Sequence, residues 1–313
     1  MNRVLSWVSH HALLVVFFVL VIVLAIASPT FRTPANLINI VEQQSIIGVV
    51  ACGMLLMIML GGFDLSVGAA GAATSVLAAA VMASSGIFLG VIAALALGAV
   101  VGLANGWLVA KLGINPFVVT LGMQSLLTGL LFVATNANPV YGVPPELTLL
   151  GLGRIGPVPV AALVFLAVAV LVWALLKFTT FGHHIYAVGG SKEASRLAGL
   201  PVTRTTILVY TIGAVLAAVG GLILLGQTSV GQPSAATTWP LSAIAAVAIA
   251  GVPLTGGSGS VGPVVIGTLL LGTISNGLNQ FGISPYWQPA ITGAVIIIAV
   301  GLDTVQRRRR TGS

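Results

Sequence analysis

Between Phe181 and Pro201 the sequence FGHHIYAVGGSKEASRLAGLP places His183, His184, Lys192, Glu193 and Arg196 in one short stretch of a chain in which only 5% of residues are Asp, Glu, Lys or Arg. Two imidazoles, an acid and two bases could perform acid–base catalysis or hold a metal. Neighbouring residues on a helix point in different directions, so His183 and His184 make a poor chelate. The chain has no H-E-x-x-H and no paired cysteines, since Cys52 stands alone inside an apolar run. The glycine-rich run GGSGSVG (256–262) lacks the Lys and Ser/Thr that a phosphate loop needs, so this chain is not expected to hydrolyse ATP itself. An intramembrane enzyme would need a nucleophile with its base, or a metal pair, at mid-depth, and the sequence offers neither. The expectation is that the chain is not an enzyme and carries no metal or cofactor.

The same stretch reads well as a short displayed helix. Ser191 is a good N-cap, Glu193 falls in the positive first turn, Gly199 suits a left-handed position after the last turn, and Pro201 prevents continuation. A helix of about two turns near 192–198 follows, with Ala194, Leu197 and Ala198 on one face and Lys192, Glu193 and Arg196 on another. AVGG (187–190) ahead of it reads as a flexible approach. Two turns are not stable alone in water, so a partner is expected on them.

The rest of the polar chemistry is neutral. Gln43, Gln44, Asn105, Gln124, Asn136, Tyr210, Gln227, Asn276 and Asn279 lie within or at the ends of apolar segments. Amides donate and accept alike, which suits a neutral polyol in a substrate pathway and equally suits hydrogen bonds between helices. The five acids, Glu42, Asp64, Glu146, Glu193 and Asp303, are expected at span ends or in loops, which argues against an ion-driven carrier. Asp64, in GGFDLS, is placed to cap the helix that follows. Trp7, Trp107, Trp173, Trp239 and Trp287 fall near predicted helix ends as interfacial anchors, and Trp239 is also a candidate for stacking on a sugar ring.

The elements that must position these residues are membrane helices. With 58% hydrophobic residues and a mean hydropathy of +1.13 over 313 residues, the chain carries too much apolar surface for a soluble globule. The apolar runs predict an all-α polytopic membrane protein of about ten spans (8–10). They are 11–29, 44–61, 64–83, 87–110, 115–135, 157–177, 207–226, 241–257, 261–280 and 285–302. The run 241–257 contains Pro253 and 285–302 contains Pro289, so either could be broken or re-entrant. The first run ends in AIAS, which resembles a signal-cleavage site, but its length favours a retained helix.

With both termini in the cytoplasm, ten of the 12 Lys and Arg lie inside and only Arg32 and Arg154 outside. The formal charge of +7 then needs no nucleic acid, and Arg307–Arg310 serve as an anchor on anionic lipid. No composition break divides residues 1–313, so a single membrane domain is expected, with a cytoplasmic loop at about 178–206. GAAGAAT (68–74), GAVVG (98–102) and GTLLLG (267–272) place small residues at helical spacing, the signature of closely packed helices. GGFDLSVG (61–68) weakly echoes GGSGSVG, on the same predicted side. NGWLVAKLGINPF (105–117) echoes NGLNQFGISPY (276–286) on opposite sides, so no simple repeat is inferred.

GGFDLSVGA (61–69), NPFVVTLG (115–122), FGHHIYAVGGSKEASRLAGLP (181–201), LSAIAAVAIAGVPLTGGSGSVGPVVIGTLLLGTISNGLN (241–279) and WQPAITGAVIIIAVGLD (287–303) together resemble the permease subunits of bacterial ribose/xylose/galactose-type ATP-binding-cassette (ABC) importers. The likeness runs from about Asn36 to Asp303. It implies import of a monosaccharide across the bacterial inner membrane, powered by MgATP on a separate cytoplasmic ATPase with two nucleotide sites. It also implies a periplasmic sugar-binding protein and a second permease subunit, identical or not. By the same resemblance the 178–206 loop is a coupling helix, with Gly189, Gly190, Ser191, Lys192, Glu193, Ser195 and Arg196 at the ATPase contact. Related permeases for nucleosides or branched-chain amino acids share similar glycine-rich turns. Where family members commonly read ELDAIAAV, this chain has Leu241 and Ser242 before AIAAV, which puts the sugar preference in question.

Overall fold

The structure, a computed structural model, describes residues 12–284, 286–294, 297 and 301. Helix α1 (Ala12–Ala27) leads through a turn to α2 (Pro34–Met59), whose start is fixed by the Thr33 hydroxyl accepting from the Asn36 amide and by Pro34 in the first turn. The predicted span began at 44; the helix begins ten residues earlier because Thr33-Pro34 is itself a start signal. From Val49 to Leu60 every side chain of this segment is buried, so α2 is the central post of the bundle.

Helix α3 (Val67–Lys111) is nominally 45 residues, but Gly86 has φ 84° and ψ 169°, outside the helical region. Straight, it would be about 67 Å long, more than twice the hydrocarbon thickness. Instead Asn105 Nδ2 donates to Asp64 (3.2 Å) and Ser66 (2.9 Å), and Gly90 packs on Met82 and Ala78. The helix is therefore an antiparallel hairpin that turns on one residue, with arms close to the predicted 64–83 and 87–110.

Asn115, whose side chain accepts from the Phe117 amide, and Pro116 open α4 (Pro116–Thr135), which ends on left-handed Asn136. The following loop holds a 3₁₀ turn (Pro145–Leu147), α5 (Thr148–Leu152) and a small antiparallel ribbon of β1 (Arg154–Ile155) with β2 (Val158–Pro159). Then come α6 (Val160–Phe178), α7 (Thr180–Gly190), α8 (Lys192–Leu197), α9 (Val202–Thr228), α10 (Trp239–Ile249) and α11 (Val261–Gln280). Of these, α2, α3, α4, α6, α9 and α11 are long and apolar enough to cross a membrane. The predicted span 241–257 is helical only to Ile249 and continues as irregular chain to Ser260, the broken form anticipated from its proline. In the last predicted span residues 287–294 are helical, whereas 285, 295, 296, 298–300 and 302, with Asp303 and Arg307–Arg310, lie outside the described residues.

Small residues draw the spans together. A Cβ on Gly98, Gly102 or Gly106 would lie 2.9 Å from Ala214 O, 2.5 Å from Thr211 Cα and 2.7 Å from Ile207 Cα respectively, so the second arm of α3 lies directly on the α9 backbone. On the first arm Gly71 abuts Gly221 of α9 and the Trp239 ring. Large side chains on the outside, among them Phe18, Ile26, Phe88, Val133 and Leu171, are more than half exposed and give the bundle an apolar outer surface.

Contacts define two ends. At one, the 60–66 turn, the start of α4, α7, α8 and the 250–260 segment meet; Lys111, Lys177, Lys192, Arg196 and Arg204 belong to the same end. At the other, Val140 pairs with Gly231, and Arg32 and Arg154 are found. The echoing GGFDLSVG and GGSGSVG segments share the first end and touch, since a Cβ on Gly256 would lie 2.7 Å from Gly61 N.

Candidate functional site

Helix α8 is built as its residues predict. The Ser191 hydroxyl accepts from the Ala194 amide at 3.2 Å. At the other end Gly199 (φ 78°) donates to Arg196 O, and Leu200 to Ser195 O, the paired bonds of a glycine-terminated helix. Lys192, Glu193, Ala194, Arg196, Leu197 and Ala198 are exposed, Leu197 at 81%, while Ser195 is buried against the body of the protein. Glu193 and Arg196 form only a loose 4.0 Å pair, with both side chains about three-quarters exposed. The unit thus offers an apolar tip and a charged rim that nothing covers among the described residues.

Beneath it lies a joint that sequence reasoning missed. AVGG is not a flexible approach: residues 187–190 form the last turn of α7, whose start is capped by the Thr179 hydroxyl accepting from Gly182 N at 3.0 Å. Glycine is needed at 189 for space, because a Cβ there would overlap the Met59 carbonyl oxygen at the end of α2. That carbonyl also accepts from Gly257 N (2.9 Å), and the Tyr186 hydroxyl donates to Gly259 O (2.8 Å). Burial pushes the Tyr186 phenol above its ordinary range, so it stays a protonated donor. α7 therefore joins α8 to the end of α2 and to the irregular stretch between α10 and α11. The signal was present in the glycines of AVGG and GGSGS, but spacing alone does not say which backbones meet. Gly189→Ala is expected to dislodge α7 and cost about 1–3 kcal/mol, read as a lower detergent-solubilised unfolding midpoint, whereas Gly190→Ala, with open space at its Cβ, is expected to be neutral.

A family model described as "Branched-chain amino acid transport system / permease component" matches residues 36–300. The chain belongs to this permease family. The ribose import permease protein RbsC of Escherichia coli K12 is 39% identical over 307 residues, covering 95% of this chain and 94% of the relative. The L-arabinose transport system permease protein AraH of the same organism is 38% identical (97% and 93% covered), and the galactose/methyl galactoside import permease protein MglC of Salmonella typhimurium is 32% identical (98% and 97%). No solved structure matches the chain.

In this permease the polar candidates divide between the two ends. Asn105 and Tyr210 sit at the α8 end, both buried; Asn105 binds Asp64 and Ser66, and Tyr210 OH reaches Phe63 O at 3.5 Å. Toward the other end Asn276 and Asn36 exchange amide hydrogen bonds at 2.9 and 3.0 Å, joined by Gln280. Gln43 donates to Asn39, Gln44 packs on Gly272, Gln124 and Gln227 are half-buried, and Asn136 and Asn279 are exposed.

Three expectations need correction. Trp239 is not an interfacial ring free to stack on a sugar: it is 7% exposed, wedged against Gly71 and Gly220, because those glycines leave room for an indole between α3 and α9. Glu42 is not at a span end: it lies two turns inside α2, buried, and pairs with Arg154 at 3.1 Å from the β1–β2 ribbon. That pairing gives one of the two bases on the minority side a local partner. Asp64 is not the N-cap of α3, a position that Ser66 holds. It accepts from the Ser66 amide and hydroxyl and from Asn105, so it ties the two open ends of the α3 hairpin together while fully buried.

Proposed function

We propose that this chain is the membrane-spanning permease subunit of an ABC importer that carries a monosaccharide of the ribose/xylose/galactose kind across a bacterial inner membrane. Its α8 is the coupling helix for a cytoplasmic ATPase that binds MgATP at two sites. A periplasmic sugar-binding protein delivers substrate, and a second permease subunit completes the pathway. About ten spans with both termini cytoplasmic are part of this reading; among the described residues, the five bases at the α8 end against two at the other favour that end as cytoplasmic.

One observation carries the mechanism. A capped helix too short to be stable alone stands on a joint to α2 and the 250–260 segment, uncovered among the described residues. An ATPase groove that seats Leu197 and reads Lys192, Glu193 and Arg196 would grip it. Closing the ATPase halves on ATP would carry α8 along, and the joint would pass that movement to the centre of the bundle. Near end-to-end similarity to ribose, arabinose and galactose permeases favours a sugar over an amino acid or nucleoside. The Leu241–Ser242 departure lies at the α10 start, where Leu241 is 52% exposed.

Exchanging the charges (Glu193→Lys with Arg196→Glu) is expected to change stability by less than about 0.5 kcal/mol, since exposed pairs contribute little. It should nevertheless abolish co-purification of the ATPase and ATP-driven uptake of labelled ribose, galactose or arabinose in proteoliposomes. Unchanged assembly and transport would remove the coupling role from α8. Uptake by the chain alone in a proton or sodium gradient, without ATP, would overturn the importer reading altogether.

A further inference from the structure

A cavity of about 420 Å³ opens where α6 passes into α7, lined by Trp173, Lys177, His183, Tyr186 and Ser260 over a floor of Leu176. No carboxylate lines it among the described residues. Lys177 Nζ rests 5.1 Å from the Trp173 ring and 5.4 Å from Phe178, with no carboxylate partner among the described residues. His183 Nδ1 donates to Thr179 O at 2.8 Å, which leaves Nε2 of the neutral ring as an acceptor at the cavity. Tyr186 is already committed to Gly259 O.

Leu166, Val170 and Trp173 follow one another at i, i+4 and i+7 on α6 and are 60%, 50% and 43% exposed, and Lys177 continues the same stripe. From Leu166 to Lys177 the helix rises about 16 Å, roughly the depth of one leaflet's hydrocarbon. An apolar stripe of that length ending in a basic, aromatic-rimmed hollow matches an acyl chain joined to an anionic headgroup. We propose that the cavity and stripe bind one anionic phospholipid, with its phosphate on Lys177, a headgroup hydroxyl donating to His183 and an acyl chain along Leu166, Val170 and Trp173.

The test is lipid retention by the full chain purified in mild detergent and supplied with mixed micelles of phosphatidylglycerol and phosphatidylcholine, read by native mass spectrometry. Phosphatidylglycerol is expected to be retained in preference. Lys177→Gln with His183→Gln should weaken it by about fivefold or more, while Lys177→Arg keeps it and confirms that substitution at 177 is tolerated. Millimolar inorganic phosphate should not displace it. Equal retention by the double variant would overturn the proposal, as would displacement by inorganic phosphate, which would mark a free-anion site. A change of oligomeric state in the double variant without loss of lipid would overturn it too, in favour of an interface between copies of the chain.

Discussion

Gly102→Val is expected to prevent this permease from folding to a monodisperse species. A Cβ at 102 would lie 2.5 Å from Thr211 Cα and 2.6 Å from Tyr210 O, both backbone atoms of α9 that no rotamer change can move aside. Valine adds two methyl groups beyond that Cβ, so the second arm of α3 would have to leave α9. Overpacking of this kind costs about 3 kcal/mol or more when backbones must separate, a large share of a total stability of roughly 5–15 kcal/mol. Size-exclusion profiles and SDS-titration midpoints would report it. Gly129→Ala on α4, where a Cβ would meet nothing within 4 Å, supplies the control and is expected to be neutral or slightly stabilising.

The second large effect is expected at Asp64. Asp64→Ala removes the acceptor of the Ser66 amide and hydroxyl and one of the two acceptors of the Asn105 side-chain amide, all buried, at a cost of about 2–5 kcal/mol. Asp64→Asn should be far milder. Its Oδ1 can still accept from Ser66 N, and its Nδ2 could donate to Asn105 Oδ1, a buried oxygen that otherwise has no partner, once the Asn105 amide turns over. Unfolding midpoints should therefore rank wild type close to Asn and well above Ala. An Asn variant as weak as Ala would show that the negative charge matters, not the hydrogen bonds.

Features legible in the sequence are those set by local chemistry. Ser191, Gly199 and Pro201 fix α8 through their own backbone preferences, and each does in the structure what its residue type dictates. The apolar runs gave the hairpin arms to within a few residues for the same reason. The glycine spacing of 98–102 announced close packing, though not that α9 was the partner. Illegible features depend on residues far apart in the chain. Glu42 and Arg154 meet across 112 positions and Asp64 and Asn105 across 41, and nothing in either neighbourhood signals the other. Trp239 was misplaced because a tryptophan near a helix end carries the same sequence signature whether it faces headgroups or fills a gap left by two glycines. Gly189 was misread for a related cause, since glycine marks freedom in a turn and crowding at a helix contact, and only the neighbour decides.

The single-residue turn at Gly86 bears on how the protein enters its membrane. Because no loop separates the arms, residues 67–111 are expected to cross twice or not at all, so that neither arm is left stranded in the lipid with its partner outside. An even number of crossings restores the chain to the side from which it started. Failure of this hairpin to insert would thus leave every later segment facing its proper compartment, and the fault would surface as a missing packing surface for α9 rather than as an inverted protein.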